Sequence, residues 1–402
     1  METKSIGEVS QVNLSQIRRT HEGPISYIDT SSVIYGKFSF PKIYLSVQDA
    51  PSRARRLAKS GDTVISTVRP KMCHYGYISS VNEKDIFSTG FVVVHPRRQV
   101  IEPYYLYLVL TSDEVTEKLQ QIAETSTTTY PSIKPSDITS IDIIIPSRKY
   151  QQAVAGIIGA IDEKIVLNQQ INKNLLKLGM NIAIRTSNIN KSTTCRISDM
   201  KDFLTVSDHV ANGSFKTLKD NVTIVDKPDY SLFLRNTDLK RNLMGDKRWI
   251  TKHSYDFLKK SHLYGGEVII SNVGDVGSVH RVPYLDQHMV AGNNVIFIQS
   301  ADSWITDYLY LYFLSNIGQH ALSTITSGSA QQKFNKTDFR AIELPIIPKN
   351  FVKKNLTPIL KKIDSNRVEE DCLITLRDLL LPRLLSGEID LSIFEEVLKN
   401  AK

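Results

Sequence analysis

The sequence predicts an α+β protein built from two similar domains in tandem, each followed by a long helix. Three observations carry that expectation. Blocks of the first half recur in order in the second half at an offset of about 200 residues, the mark of an internal duplication. Two stretches, residues 149–187 and 350–386, repeat apolar side chains at three- and four-residue steps for longer than a capped globular helix usually runs. The recurring blocks read as strands and helices, whereas the segments between them differ in the two copies.

The matches can be followed along the chain. Residues 27–33 align with 233–239, residues 61–68 with 266–273, and residues 89–94 with 293–298. Residues 104–110 align with 308–314, Asp137-Ile138 with Asp338-Phe339, Ile141-Asp142-Ile143 with Ile342-Glu343-Leu344, and Ile161-Asp162 with Ile363-Asp364. Residues 35–59 and 69–85 find no counterpart in 240–263 and 274–287. One scaffold with two sets of loops suggests one task directed at two targets.

In the first domain, residues 1–147, an amphipathic piece at Ile6-Gly7-Glu8-Val9 leads to an extended segment at residues 26–33. A basic stretch, Pro51-Ser52-Arg53-Ala54-Arg55-Arg56, precedes residues 63–68, whose β-branched content between Gly61 and Pro70 reads as a buried strand. Arg69, Lys71, His74, Tyr75 and Tyr77 are expected in a loop beyond it. Residues 91–94 read as a second buried strand, residues 103–123 as a helix opened by Pro103, residues 125–130 as a hydroxyl-rich loop, and residues 141–145 as a last strand stopped by Pro146. The second domain, residues 188–348, repeats this plan after a polar connector at 188–194. Its basic loop is longer, with Lys240, Arg241, Lys247, Arg248, Lys252, Lys259 and Lys260. Gly274-Asp275-Val276-Gly277 reads as a turn rather than a phosphate loop, and residues 326–333 form a second polar loop.

The long stretches are assigned to residues 148–187, a central helix, and 349–402, a C-terminal helix with a short tail. Ile158, Ile161, Ile165, Leu175 and Leu178 on the first, and Ile359, Ile363, Ile374, Leu380 and Leu384 on the second, are the residues expected to pack on a partner helix. Val154, Ile157, Ile171, Ile182, Leu356 and Leu376 extend the same stripes. Both stripes turn polar midway, at Asn168-Gln169-Gln170 and Asn366-Arg367, where polar seam positions can set register.

Bulk properties bound the function. The chain of 402 residues is 41% hydrophobic and 23% charged, ordinary values for a globular protein of two or three domains. No apolar run approaches the roughly 18 residues of a membrane span, and the N-terminus has no signal-like apolar core, so a cytoplasmic protein is expected. Cys73, Cys195 and Cys372 are scattered, with neither metal-ligand spacing nor a disulfide framework. A net charge of +8 and a pI near 9.1 favour a polyanionic partner. The sequence holds no GxxxxGK[ST], no GxGxxG after a strand, no HExxH, no NPPY-like stretch and no spacing that singles out a catalytic triad.

With these features in place, the chain resembles the specificity subunits of type I restriction–modification enzymes. The repeat of two α+β domains with two long helices carries most of the resemblance. Ala50-Pro51-Ser52-Arg53-Ala54-Arg55-Arg56 with Thr67-Val68-Arg69-Pro70 is similar to a pattern of that family's target recognition domains. Residues 379–389 are similar to its C-terminal helix end. The resemblance implies that each globular domain is a target recognition domain reading half of an asymmetric, split DNA site. It implies that the two helices pack as an antiparallel coiled-coil spacer with pseudo-twofold symmetry. It also implies docking of two modification methyltransferase subunits and, optionally, of restriction/translocase subunits. The chain itself would be non-catalytic and hold no cofactor, with S-adenosylmethionine, ATP and magnesium on the partner subunits.

The residues fit a reader of double-stranded DNA, which needs cations for phosphates and forked or amide side chains for base edges. The candidates are Arg53, Arg55, Arg56, Arg69, Lys71, Tyr75 and Tyr77 in the first domain. In the second they are Arg235, Asn236, Lys247, Arg248, Asn272, His280 and Arg281. About 38 helical residues at ~1.5 Å each span ~57 Å, or ~17 base pairs at ~3.4 Å per step. Two other readings stay open: a DNA adenine methyltransferase fused to recognition domains, which would require S-adenosylmethionine on this chain, and a non-catalytic repeat scaffold, whose binding would be insensitive to salt.

Overall fold

The computed structural model describes residues 2–125, 131–189, 194–328 and 331–391. Outside them fall residues 126–130 of the hydroxyl loop, Ser329 and Ala330 of its counterpart, residues 190–193 of the connector, and the tail beyond residue 391. The chain divides into two compact units: Met1–Ile165 together with Cys372–Lys402, and Val166–Asp371.

In the first unit, an antiparallel sheet takes the order Ser10–Val12, Phe91–Pro96, Thr63–Ser66, Tyr75–Tyr77. A second sheet takes the order Lys42–Tyr44, Ile25–Ile28, Asp85–Ser88, Ala54–Arg56, with one parallel pair between Ile25–Ile28 and Asp85–Ser88. Strand Thr63–Ser66 is buried at all four positions, as its β-branched run foretells. The strand Glu2–Ser5 pairs with Asp142–Ile145 and ties the start of the domain to its end.

The second unit repeats this topology. Its antiparallel sheet runs Thr205–Asp208, Val295–Gln299, Val268–Ser271, Val279–Arg281. Its other sheet contains Trp249–Ile250, Ser231–Leu234, His288–Ala291, His262–Leu263 in that order, again with one parallel pair, and adds Ile224–Val225 at one edge. Thr194–Arg196 pairs with Glu343–Pro345 as Glu2–Ser5 does with Asp142–Ile145. The duplication is therefore one of strand order as well as of sequence.

Burial shifts the repeat by one residue where each domain's helix crosses its sheet. Tyr105 and Tyr308 are both fully buried, so Tyr105-Leu106-Tyr107-Leu108 corresponds to Tyr308-Leu309-Tyr310-Leu311, and Tyr104 to Asp307. The helix expected over 103–123 is two helices, Pro103–Leu110 and Asp113–Glu124, because Ser112 caps the second by accepting from the Val115 amide.

The long helices are Arg148–Ile189, of 42 residues, and Thr357–Ser386, of 30. The second is shorter than the stripe suggests. A separate helix, Lys349–Asn355, precedes it, and the chain breaks near Leu356, two residues before Pro358, which has no amide proton to give. Each unit is completed by parts of both helices. In the first unit Val154, Ile158, Ile161 and Ile165 join a core that also contains Leu384 and Leu391. The Tyr150 hydroxyl donates to the Leu384 carbonyl at 2.9 Å, and Asp162 accepts from Arg377 at 3.1 Å. In the second unit Ala183 joins Leu356, Leu360 and Ile363. There Asn168 donates to Glu369 at 2.9 Å and Asn366 to Asn172 at 2.8 Å. Within each unit the residue numbers rise on one helix as they fall on the other, so the paired segments run in opposite directions.

Two stripe residues do not pack as expected: Leu178 is 49% and Leu376 45% exposed. A 3.6-residue period carries the buried face from Leu175 to Gly179 and Ala183, where Gly179 lies against Leu311 and Ile359, leaving Leu178 outside. On the second helix the corresponding place is Arg377, turned to Asp162.

The Tyr308 hydroxyl donates to the Pro345 carbonyl at 2.8 Å and lies 3.2 Å from Ser187, which joins the domain helix, the closing strand and the first long helix. Tyr308→Phe strands that carbonyl and should destabilise the second unit by ~1–2 kcal/mol. The measure is the denaturant midpoint, and an unchanged midpoint would show the hydroxyl to be dispensable.

Candidate nucleic-acid interface

In the first domain the candidates fall into two groups. Arg53 is exposed just before strand Ala54–Arg56, which forms one edge of its sheet, while Arg55 and Arg56 on the strand are half-buried. Burial lowers the Arg56 pKa, and one guanidinium nitrogen on each of Arg55 and Arg56 is buried without a hydrogen-bond acceptor.

The second group surrounds a tight turn. Arg69 and Cys73 both adopt left-handed backbone, with φ of 50° and 54°, on either side of the 3₁₀ turn Pro70–Met72. That geometry is uncommon outside glycine and marks a loop held by its surroundings. The Arg69 amide donates to the Pro131 carbonyl, and the Lys71 amide to Gln120 at 3.2 Å. Lys71 presents its ammonium to solvent beside Glu117, at 3.0 Å.

Tyr75 and Tyr77, expected in the loop, lie instead on strand Tyr75–Tyr77. Alternation turns both to one face, while Gly76 between them leaves room for the Phe38 ring, 2.5 Å from where a Cβ would stand. Tyr77 packs edge-on to Tyr104 at 4.9 Å between ring centroids, and Tyr75 to Tyr107 at 6.3 Å. Burial, with smaller contributions from neighbouring groups, raises the pKa of all four hydroxyls. This cluster ends at the first long helix, where the Tyr104 hydroxyl donates to Asp162 at 2.6 Å.

In the second domain several candidates come together around Asp275. Asn236 donates to its carboxylate at 3.0 Å and Lys240 at 2.9 Å, and these contacts hold the Asp275 pKa below the ordinary range. The segment 274–277 is a turn, with Gly274 and Gly277 at φ of 79° and 84°. Asn272 donates to the Phe334 carbonyl at 3.1 Å, and its side-chain oxygen is buried without a donor, as is that of Asn236. Arg248 pairs with Asp226 at 2.6 Å, and Lys247 is half-buried. Arg235 is committed locally: it forks onto Asp238 and donates to the Asp246 carbonyl.

Arg281 is not at the surface. Its side chain is 4% exposed, paired with Asp307 at 3.1 Å and with Asp364. Burial alone would weaken its proton affinity, but the two carboxylates outweigh that and raise its pKa. Asp307 shifts upward, mainly through burial, against opposing contributions from Thr357 and Arg281. A base-reading role for Arg281 is therefore out of geometric reach. The residues that sequence reasoning missed are the partners in these junctions: Tyr104, Asp162 and Arg377 in the first unit, and Asp307, Thr357 and Asp364 in the second. Among the described residues no group of His, Cys, Asp or Glu could hold a metal ion, and no helix is long and apolar enough to cross a membrane.

Comparison with known proteins shows what the whole chain is similar to. The type I restriction modification DNA specificity domain matches twice, at residues 1–177 and 198–375. The HindI specificity subunit of a type I restriction enzyme from Haemophilus influenzae is 24% identical, over 96% of this chain and 98% of the relative. A putative MjaX specificity subunit from Methanocaldococcus jannaschii is 21% identical over 82% of this chain and 78% of the relative. The crystal structure of a type I restriction–modification system S subunit from M. genitalium shares the fold, with a TM-score of 0.52 at 13% identity and 95% of both chains covered.

His280, half-buried with Ser278 2.9 Å from its Nε2, has its pKa pushed down to about 4, chiefly by burial and then by Lys240. Burial also lowers that of His209, packed edge-on to Phe233. Both imidazoles bind a proton less tightly folded than unfolded, where they titrate near 6.5. Their contribution to stability is complete above that pH and is lost as pH falls toward 4. Replacing both with Gln should flatten the fall in unfolding midpoint over this window; an equally steep fall would assign it to other groups.

Proposed function

Because the chain belongs to the type I restriction modification DNA specificity family, with both of its domains matched, we propose that it selects the DNA site of a type I restriction–modification complex and catalyses nothing itself. Each domain reads one half of an asymmetric, split site in double-stranded DNA. The two long helices form an antiparallel coiled-coil spacer that sets the gap, and two modification methyltransferase subunits dock on the two similar halves. S-adenosylmethionine, and ATP with magnesium where restriction/translocase subunits join, belong to those partners.

The observation that carries this reading is one strand order built twice with different surface chemistry in the segments between the matched strands. Between the matched strands the first domain presents Arg53 and the Arg69–Lys71 turn, whereas the second presents Lys240, Arg241 and Arg248. Two related scaffolds with unlike cationic loops suit two unlike half-sites, with phosphate contacts giving affinity and a few side chains giving sequence. Arg53, Arg69 and Lys71, and in the second domain Asn236, Lys247, Arg248 and Asn272, are the residues assigned to that surface. Arg55, Arg56, Tyr75, Tyr77, Arg235 and His280 support it from half-buried positions.

The test is methylation mapping. The chain is co-expressed with its modification subunit in a host lacking adenine methylation, and modified adenines are located by single-molecule sequencing. A split, asymmetric motif that disappears without this chain is expected. An intact complex with no motif would favour the scaffold reading, and methylation by this chain alone the fused-enzyme reading. Lengthening both helices at matching levels by one heptad adds ~10 Å, which should lengthen the gap by ~3 base pairs; an unchanged gap would separate spacing from helix length.

A further inference from the structure

We infer that Arg281 is a positioning residue that clamps the second domain to the long helix Thr357–Ser386, and that the fixed gap of the recognised site depends on this clamp; the inference rests on the function proposed above. Three elements meet at its guanidinium. Arg281 ends strand Val279–Arg281 at the edge of the antiparallel sheet, Asp307 lies in helix Ser303–Leu314, and Asp364 lies in the long helix. One guanidinium nitrogen serves Asp307 at 3.1 Å and another serves Asp364. Thr357, the first residue of the long helix, donates to the other oxygen of Asp307 at 2.7 Å. The carboxylates are 1% and 20% exposed, so removing the guanidinium leaves two poorly solvated like charges facing one another across the junction. A buried pair of this kind adds little net stability compared with apolar packing, but it tolerates only one geometry, because each partner's alternatives are unpaired. Apolar neighbours can slide; a fork held by two carboxylates on different elements cannot.

The first unit supports this reading by solving the same problem with other residues. Asp162 corresponds to Asp364, Tyr104 to Asp307, and Tyr77 to Arg281, since Tyr77 pairs with Thr63 and Arg281 with Val268. There the helix carboxylate accepts from Tyr104 at 2.6 Å and from Arg377 at 3.1 Å, with Arg377 coming from the other long helix. The helix aspartate is held in both copies, yet its nearest cation comes from the domain in one, with Arg367 of its own helix at 4.0 Å, and from the other long helix in the other. What the two junctions share is a domain side chain anchored on that aspartate, as expected if the junction must be rigid and its chemistry is otherwise free.

The experiment uses the complex of the full chain with its modification subunit and compares wild type, Arg281→Met and Asp364→Asn. The last is nearly isosteric and keeps the Arg281–Asp307 pair. Both variants should keep the bases of both half-sites. Methylation at the wild-type gap should fall about tenfold or more, as sub-ångström misplacement of reacting partners allows, while sites with a gap one base pair longer or shorter become methylated. A single, unaltered gap at the wild-type rate in both variants would overturn the inference. So would an altered base preference at constant gap, which would make Arg281 a reader, or a failure of both variants to form a soluble complex, which would make the pair a folding element. If wild type itself gives no split motif, the proposed function fails first, independently of Arg281.

Discussion

The structure depends on each domain burying its apolar floor against helix segments drawn from two distant parts of the chain. In the first unit the core around Tyr105 and Leu106 is closed by Ile158 and Ile161 and by Leu384 from more than two hundred residues later. In the second, Leu309 and Phe313 are covered by Ala183 together with Leu360 and Ile363. The first unit draws its core from two separate stretches of chain, residues 1–165 and 372–402, whereas the second is the single stretch 166–371 with a helix segment at each end. The helices are therefore structural members of both folds as well as connectors. A full side chain buried this way is worth ~1.5–3 kcal/mol, so a handful on each face decides whether the units form.

Apolar burial does not choose a register, and the polar residues within the seam do. Asn366 and Asn168 are both 1% exposed, and each finds an amide or carboxylate partner on the opposing helix, Asn172 and Glu369. Sliding either helix by one turn would strand these groups away from water, which costs more than any exchange of one leucine contact for another. The same logic operates at the domain junctions, where Asp162 and Asp364 are satisfied only in one placement.

Much of this was legible in the sequence. The duplication, the buried strands Thr63–Ser66 and Val268–Ser271, and the helix stripes through Ile158, Ile161 and Ile363 follow from periodicity and β-branched content, which are local signals. What could not be read depends on distance. Arg281 looks like any basic residue after a strand, because the carboxylates that bury it lie 26 and 83 residues away. Tyr75 and Tyr77 look like loop residues because the turn before them is basic, yet they pair with Ile65 and Thr63 in the antiparallel sheet, with the Phe38 ring seated over Gly76 between them. Leu178 falls outside the seam because three- and four-residue steps are interchangeable over one turn but drift apart along a helix of 42 residues.

These features separate two kinds of charge in a basic protein. Arg281 is consumed inside the fold by Asp307 and Asp364, while Arg377 and Arg235, 32% and 31% exposed, are partly neutralised by Asp162 and Asp238. Arg53, Lys71, Lys240 and Arg241 stand in segments between the matched strands whose sequences do not repeat between the copies, Lys71 in a 3₁₀ turn and Lys240 at a helix end. A polyanion sampling the surface meets the second set and not Arg281. The scaffold can then keep its internal pairs fixed while the loops change, and a change of target need not disturb the spacing. The division fails only where one residue serves both purposes, and the burial of Arg281 shows that at this junction the chain keeps the two apart.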